Sequence, residues 1–295
     1  MGEMKNIIKK LLNFIGVEPE KVRIMLSRWS IHASLQNAKL YHLAEKLRRI
    51  VPDISQQENT EGKNFDDFIE LKRRALQAFQ CQLMLSMLNF FPGQKAIRVV
   101  DIGDSAGTHM LYLKALAGDN YDIETLSVNL DPRAILKIES RGLKALLSRA
   151  EYLDLDDKNV DFFTAFQLLE HLHDPVKFLR NLAEKSNGNK LVVTVPYLRQ
   201  SRVGLHGIRQ KMTEERFAED EHIFELSPND WKLLMLHSGW KVIHSRIYYQ
   251  YPRWPIVDDF LAFFWRGFDF EGFWGAILEK DNSYSDFYRD WEKTS

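Results

Sequence analysis

Apolar residues recur along this chain with two periods, and the change falls near residue 96. Before it the spacing is helical. In Met1–Val17, Ile7, Ile8, Leu11, Leu12 and Ile15 follow a helical repeat with Lys5, Lys9 and Lys10 between them. Asp66–Phe91 sets Phe68, Leu71, Ala75, Phe79, Leu83 and Met87 on one side and stops at Phe91-Pro92-Gly93. Between these parts the polar Ser55–Asn64 reads as a loop. Residues 1–92 therefore form an N-terminal helical region, and 93–295 a second unit of different rhythm.

From Ala96 short apolar runs alternate with helical ones. Ala96–Asp101, Glu124–Asn129, Leu143–Ser148, Val160–Ala165 and Leu191–Val195 read as strands, with helices between them such as Met110–Ala117. Two of those helices open on Asp-Pro, at Asp131-Pro132 and Asp174-Pro175, and Ser227-Pro228-Asn229-Asp230 repeats the idea. An acidic or hydroxyl cap followed by proline is a mechanistic start, because the missing proline N–H would be unpaired there anyway. The alternation predicts an α/β fold with a doubly wound, mostly parallel sheet. Leu191–Val195 is apolar throughout, as a strand covered on both faces should be. Ligands of such sheets bind beyond the carboxyl ends of the strands. The residues that matter should lie just after Val100, Val128, Ser148, Ala165 and Val195.

Composition changes this picture little: 45% hydrophobic, 27% charged, formal net charge −1. No global basic field is available to hold nucleic acid, so affinity for an anion must be local. Cys81 is the only cysteine, which excludes an intrachain disulfide framework and a cysteine-rich zinc site and fits a reducing, cytoplasmic setting. Met1–Val17 is too short and too charged to span a bilayer, so no transmembrane segment is expected there.

The first strand runs into Asp101-Ile-Gly103-Asp104-Ser105-Ala-Gly107-Thr108. Two glycines in a strand-to-helix turn let the backbone approach a ligand closely. A P-loop would need Gly-Lys-Ser/Thr, which is absent, and a dinucleotide fold would set a pyrophosphate over the helix N-terminus. Asp101 and Asp104 put negative charge at that place. The electrostatics suit a cationic, phosphate-free nucleoside.

These residues resemble the first motif of class I S-adenosylmethionine-dependent methyltransferases, with Ser105 in place of the middle glycine. Asp161-Phe-Phe-Thr-Ala-Phe-Gln-Leu-Leu-Glu-His-Leu-His-Asp-Pro is similar to that family's fourth-strand segment, close to its form in the ubiquinone-biosynthesis branch. Gly239-Trp-Lys-Val resembles a late strand entry. Together the three cover about residues 95–280. The resemblance implies a Rossmann-like sheet of seven strands whose last, Phe273–Lys280, is antiparallel. It implies S-adenosylmethionine as cofactor, with Asp101, Gly103, Ser105 and Gly107 at the methionine end. Asn129 or Asp131 would take the ribose place. Asn129, with Leu130, is favoured because Asp131 precedes Pro132 and suits a cap. Ala150 and Glu151 match the adenine position, though the usual acid aligns on Arg149 or Glu151. Phe166 and Gln167 would flank the transferable methyl. The Glu170-His171 pair is the catalytic candidate, with packing as the alternative. His171-x-His173-Asp174 shows no third ligand at local spacing, so no metal is expected.

After the fifth strand, about residues 197–226, Arg199, Arg202, His206 and His222 belong to a segment that should overhang the crevice. One reading is a lid for an anionic small-molecule acceptor. The other is a solvated loop paired with the acidic run Glu214–Glu221. The aromatic tail from Ile247 is read as core packing, with a homodimer interface or a substrate wall as alternatives. The expected activity is methylation, on oxygen, of a small molecule or sugar-like metabolite. A non-catalytic cofactor- or partner-binding relative is the second reading. A nucleic-acid acceptor is disfavoured, since Phe166-Gln-Leu-Leu stands where an Asn/Asp-Pro-Pro-aromatic motif would be needed.

Overall fold

The computed structural model describes residues 14, 16, 18–55, 66–153, 155, 159–215, 221–267 and 271–288. Most of the amphipathic Met1–Val17 run, of the Ser55–Asn64 loop and of the acidic run 214–221 lies outside the described residues, as do Phe268 and Phe270. Three helices come first: α1 (Pro19–Asn37), α2 (Tyr41–Ile50) and α3 (Asp67–Leu88). Asp66 caps α3, its side chain accepting the Ile69 N–H at 2.8 Å. The helix stops three residues earlier than its apolar period suggests, and the chain turns through Gly93 at φ +79°.

Then come β1 (Ala96–Ile102), α4 (Thr108–Ala117), β2 (Asp122–Asn129), α5 (Pro132–Ser140), β3 (Lys144–Leu147), β4 (Phe162–Phe166), α6 (Pro175–Lys185) and β5 (Lys190–Tyr197). The remainder is β6 (Arg202–Val203), α7 (His206–Arg209), β7 (Phe224–Glu225), α8 (Pro228–His237), β8 (Trp240–Tyr249), α9 (Val257–Arg266) and β9 (Gly272–Lys280). The three proline starts behave as expected. Asp131, Asp174 and Ser227 each accept a backbone N–H of the helix they open, from Arg133, Lys177 and Asp230.

Seven strands form one sheet in the order β3-β2-β1-β4-β5-β9-β8. β1 to β5 pair in parallel, and β9 runs antiparallel to both β5 and β8. The fold is the Rossmann-like, seven-stranded arrangement with an antiparallel last strand. β1 has β2 on one side and β4 on the other, so the connections leave in opposite directions there and open a crevice at the strands' carboxyl ends.

Both faces are covered. On one, α1–α5 and α9 pack against strand residues such as Val99, Phe162 and Ile277; on the other, α6 and α8 bring Phe178, Leu179 and Trp231 against Val100, Phe163 and Val193. The N-terminal helices thus share a core with the sheet. α3 lies so close over β9 that a Cβ on Gly275 would collide with Leu83 and Phe79. Ser30 donates to the Gln250 carbonyl at 2.8 Å and accepts from the Trp265 indole at 2.9 Å, fixing α1 across the segment between β8 and β9. Of the aromatic tail, Tyr248, Tyr251, Trp265, Phe273 and Trp274 are core, as composition suggested, while Trp254, Phe260 and Phe263 stay exposed. No helix among the described residues is long and apolar enough to cross a membrane.

Candidate active site

The turn after β1 is held open by its glycines and tied down by its acids. Gly103 (φ +87°) and Gly107 (φ +73°) have left-handed backbone, and the Gly103 amide donates to the Val128 carbonyl at 2.8 Å. Asp104 folds back into its own loop. Its Oδ1 accepts the Ala106 and Gly107 amides at 3.1 and 2.8 Å, and its Oδ2 accepts the Ser127 hydroxyl at 2.7 Å. Those amides are the donors a pyrophosphate would need, so the loop fills that position with its own carboxyl, which burial and the neighbouring Asp101 push up. Sequence counted the charge of both acids at the ligand's place and named Asp101 alone as a cofactor residue; Asp104 is spent on the loop.

Asp101 is the acid left over. Its Oδ1 accepts the Thr164 hydroxyl at 2.6 Å, while its buried Oδ2 has no hydrogen-bond partner. His109 Nδ1 lies 3.5 Å from that oxygen, and His109 Nε2 lies 2.9 Å from Gln80 Oε1. Gln80 donates in turn to Thr194 Oγ1 at 3.0 Å, which also receives Gln167 Nε2 at 3.2 Å. A polar chain therefore links α3, the glycine loop and the end of β4. Burial pulls the His109 imidazole down, but Asp101 and Asp104 outweigh it and hold it above its ordinary value. The sequence offered one hint of this network: Gln80 interrupts the apolar run Ala78-Phe79-Gln80-Cys81, where all four are buried.

At the end of β2, Asn129 Nδ2 donates to the Asp104 carbonyl at 2.9 Å, and its Oδ1 accepts the Asp131 amide at 2.8 Å. Asp131 is spent as the α5 cap and on the Arg133 guanidinium at 3.0 Å, which holds its carboxyl below the usual range. Asn129 Oδ1 keeps a second lone pair at the crevice. Leu130, next to it, is half exposed. Ala150 and Glu151 lie in the turn after β3, where Arg149 Nε stands 3.7 Å from Glu151 Oε2: the two residues that competed for one alignment are neighbours.

Beyond β4, Phe166 is buried and Gln167 has φ +51°, a strained backbone at the crevice. A single tight turn, Leu169–His171, follows. Glu170 is fully buried, neither carboxylate oxygen has a hydrogen-bond partner, and burial pushes its carboxyl up to about 7. His171 Nδ1 lies 3.0 Å from the Glu221 carbonyl, and its ring centroid is 4.9 Å from that of His222. His222 Nδ1 is 3.3 Å from Glu225 Oε1. Burial lowers the His222 imidazole, yet Glu225 and Glu170 together raise it. Tertiary structure thus supplies the third ligand-capable group that local spacing around His171 lacked. His173 is exposed.

The described residues of the 197–226 segment include the small β6–β7 pair and α7. Its arginines bond inward. Arg202 and Arg209 reach Glu225 at 2.5 and 3.2 Å. Arg199 and Arg266 share Glu271 at 3.0 and 2.7 Å, and Tyr251 donates to it at 2.6 Å. Their carboxylates come from β7 and from just before β9. Two guanidiniums on one carboxylate leave the Glu271 cluster net positive, beside Tyr197 at the end of β5. His206 is exposed at the start of α7.

A methyltransferase domain family model matches residues 42–245, from α2 into β8. No curated protein matches the chain. Among solved structures, a putative sarcosine dimethylglycine methyltransferase from Galdieria sulphuraria is similar at 13% identity and TM-score 0.51, covering 81% of this chain and 97% of its own. The [4+2]-cyclase SpnF matches at 14% identity and TM-score 0.51, over 84% and 97%. Magnesium protoporphyrin IX methyltransferase from Synechocystis PCC 6803, with bound SAH, matches at 11% and 0.50, over 85% and 99%. These likenesses show a shared fold.

Proposed function

The chain belongs to the methyltransferase domain family, S-adenosylmethionine-dependent enzymes of class I fold, and on that premise we propose that it methylates a hydroxyl of a small molecule bound beyond β4 and β5. The observation that carries the reading is Asp101 Oδ2, a buried carboxylate oxygen with no hydrogen-bond partner and only the His109 imidazole, 3.5 Å away, beside it, next to a loop whose phosphate-type donors Asp104 already fills. An ammonium group satisfies that oxygen and a diphosphate does not. The residues present therefore fit the cofactor.

Asp101, Gly103, Ser105 and Gly107 line the methionine end. Asn129 accepts a ribose hydroxyl, Leu130 covers one side of the base, and Ala150 and Glu151 edge it. Phe166 and Gln167 flank the reacting end. When bound, the cofactor supplies a methyl group already activated on a positive sulfur. The chain's own task is to orient the acceptor and exclude water. Glu170, whose carboxyl titrates near neutrality, and His171 are placed to take the acceptor's proton. Arg199 with Arg266, through the net charge of the Glu271 cluster, and Arg202, His206 and His222 form the acceptor side, which suits an anionic group on the substrate. A homodimer would use the exposed face of Trp254, Phe260 and Phe263.

Calorimetry with SAH, S-adenosylmethionine and NAD, followed by methyl-donor consumption over a panel of hydroxylated metabolites, tests this. We expect both sulfur nucleosides to bind, NAD to stay silent and turnover to follow. Binding without turnover on any acceptor favours the non-catalytic reading. Binding of NAD in place of SAH overturns the assignment.

A further inference from the structure

His109 stands beside the oxygen assigned to the cofactor's ammonium group. Its Nδ1 lies 3.5 Å from Asp101 Oδ2, an ion-pair distance, and that oxygen has no hydrogen bond. The other ring nitrogen is committed. Gln80 Nε2 donates to Thr194 Oγ1 at 3.0 Å, so Gln80 turns its carbonyl oxygen, 2.9 Å away, to His109 Nε2. A carbonyl can only accept, and Nε2 therefore carries a proton. In a neutral ring Nδ1 would then be a bare lone pair facing a carboxylate oxygen, with His109 and Asp101 both buried. Two acceptors desolvated against each other are costly. A second proton, on Nδ1, removes the conflict and makes the ring the counter-ion of Asp101.

The charges around the ring suit one cation and not two. It faces Asp101 of β1 and Asp104 of the glycine loop. Both Asp104 oxygens are already taken, by the Ala106 and Gly107 amides and by Ser127, and burial together with Asp101 pushes that carboxyl up. From α3 the neighbours are the neutral Gln80 and Cys81, whose thiol burial pushes up. From β4 the Phe166 ring packs edge-on, with centroids 4.8 Å apart. Arg141 adds positive charge to the same loop, held on the Ala106 carbonyl at 2.7 Å and the Thr108 hydroxyl at 3.0 Å. Burial pulls the imidazole down, and the acids lift it above its ordinary value of about 6.5. A second cation at Asp101 opposes that lift.

We propose that His109, oriented by Gln80, is a positioning residue for the cofactor: it neutralises Asp101 in the cofactor-free protein and gives up its Nδ1 proton to solvent when an ammonium group takes over Oδ2. One N–H bond of the ring breaks, the ammonium keeps its protons, and the Asp101–His109 pair passes from neutral to the single negative charge that the ligand balances. The inference rests on the cofactor reading above. Because the complex holds one proton fewer, affinity rises with pH below the His109 value of the cofactor-free protein and levels off above it. Deprotonation of the ligand's own amine has the opposite sign.

The test titrates the full chain with SAH by calorimetry in phosphate and in Tris, whose ionisation heats differ, over a series of pH values. About one proton should leave per SAH bound near neutral pH, with affinity rising up to about tenfold per pH unit there. His109→Gln should bind SAH with no proton released and a flat profile. Methylthioadenosine, which lacks the amino acid, should release none from wild type. SAH binding without proton release, or affinity that falls as pH rises through neutrality, overturns the role of His109 and leaves the cofactor reading intact. Release that persists in His109→Gln, or that methylthioadenosine reproduces, also overturns it, because the proton then comes from elsewhere. The wild-type measurements decide the matter even where His109→Gln fails to fold. Absence of SAH binding at every pH sinks the cofactor reading itself.

Discussion

Replacing each acid of the glycine loop by its amide separates what the two carboxylates do. In Asp101→Asn, Oδ1 still accepts the Thr164 hydroxyl, and the new amide faces His109 Nδ1, which a neutral imidazole offers as an acceptor. The fold is kept; the anionic Oδ2, which has only the His109 imidazole beside it, is lost. A charge-assisted hydrogen bond contributes about 1.5–3 kcal/mol, so SAH should bind roughly 10- to 150-fold more weakly. In Asp104→Asn, Oδ1 still accepts the Ala106 and Gly107 amides, and the new N–H donates to Ser127 Oγ. Because every hydrogen bond has a replacement, the change in SAH affinity should stay under about 1 kcal/mol, roughly fivefold. Calorimetry at constant salt reads both. Methylthioadenosine, which keeps the nucleoside but lacks the amino acid, should bind wild type and Asp101→Asn alike. If Asp104→Asn weakens SAH as much as Asp101→Asn does, or if methylthioadenosine binding falls in parallel with SAH binding, the assignment of Asp101 alone to the ammonium is refuted.

Three further outcomes follow from the same geometry. Gly107→Ala imposes φ +73° on an L-residue and sets a Cβ 2.5 Å from Leu143 Cδ1, so denaturant unfolding should show a loss of about 2–4 kcal/mol. Cys81 is fully buried, and burial together with the charge of Asp101 pushes its thiol up, so thiol reagents should label it only after unfolding; rapid labelling of native protein would contradict the packing of α3. His109 carries a raised folded pKa, against about 6.5 unfolded, so its contribution is complete below about pH 6.5 and is lost as pH rises through the folded value. The thermal midpoint of His109→Gln should accordingly fall less over that alkaline interval than the wild-type midpoint; parallel curves would show that His109 is not charged there.

The order of elements was legible because the signals for it are local. A period of two or of 3.6, an Asp-Pro start, and a glycine turn between strand and helix each lie within a dozen residues, and β1 to β5, with the helices α5, α6 and α8, form within a few residues of where those signals put them. The glycine loop and the Glu-His turn could be located for the same reason, as could the choice of Asp131 as a cap over Asn129. The placing of the acceptor-side arginines was not legible. Arg199 finds Glu271, 72 residues on, and Arg202 finds Glu225, 23 residues on.

By itself, then, the sequence determined the alternation, the sheet class and the place of the crevice, since backbone preference and amphipathic period act over one element at a time. Tertiary structure decided which polar groups meet inside it. Gln80, His109 and Thr194 join in one chain, and His222 reaches His171 across 51 residues, only because parallel strands and a crossing helix bring distant positions to one edge of the sheet. Side chains that desolvate together there must satisfy or charge one another, and that constraint is set by three-dimensional neighbours, which no local pattern records.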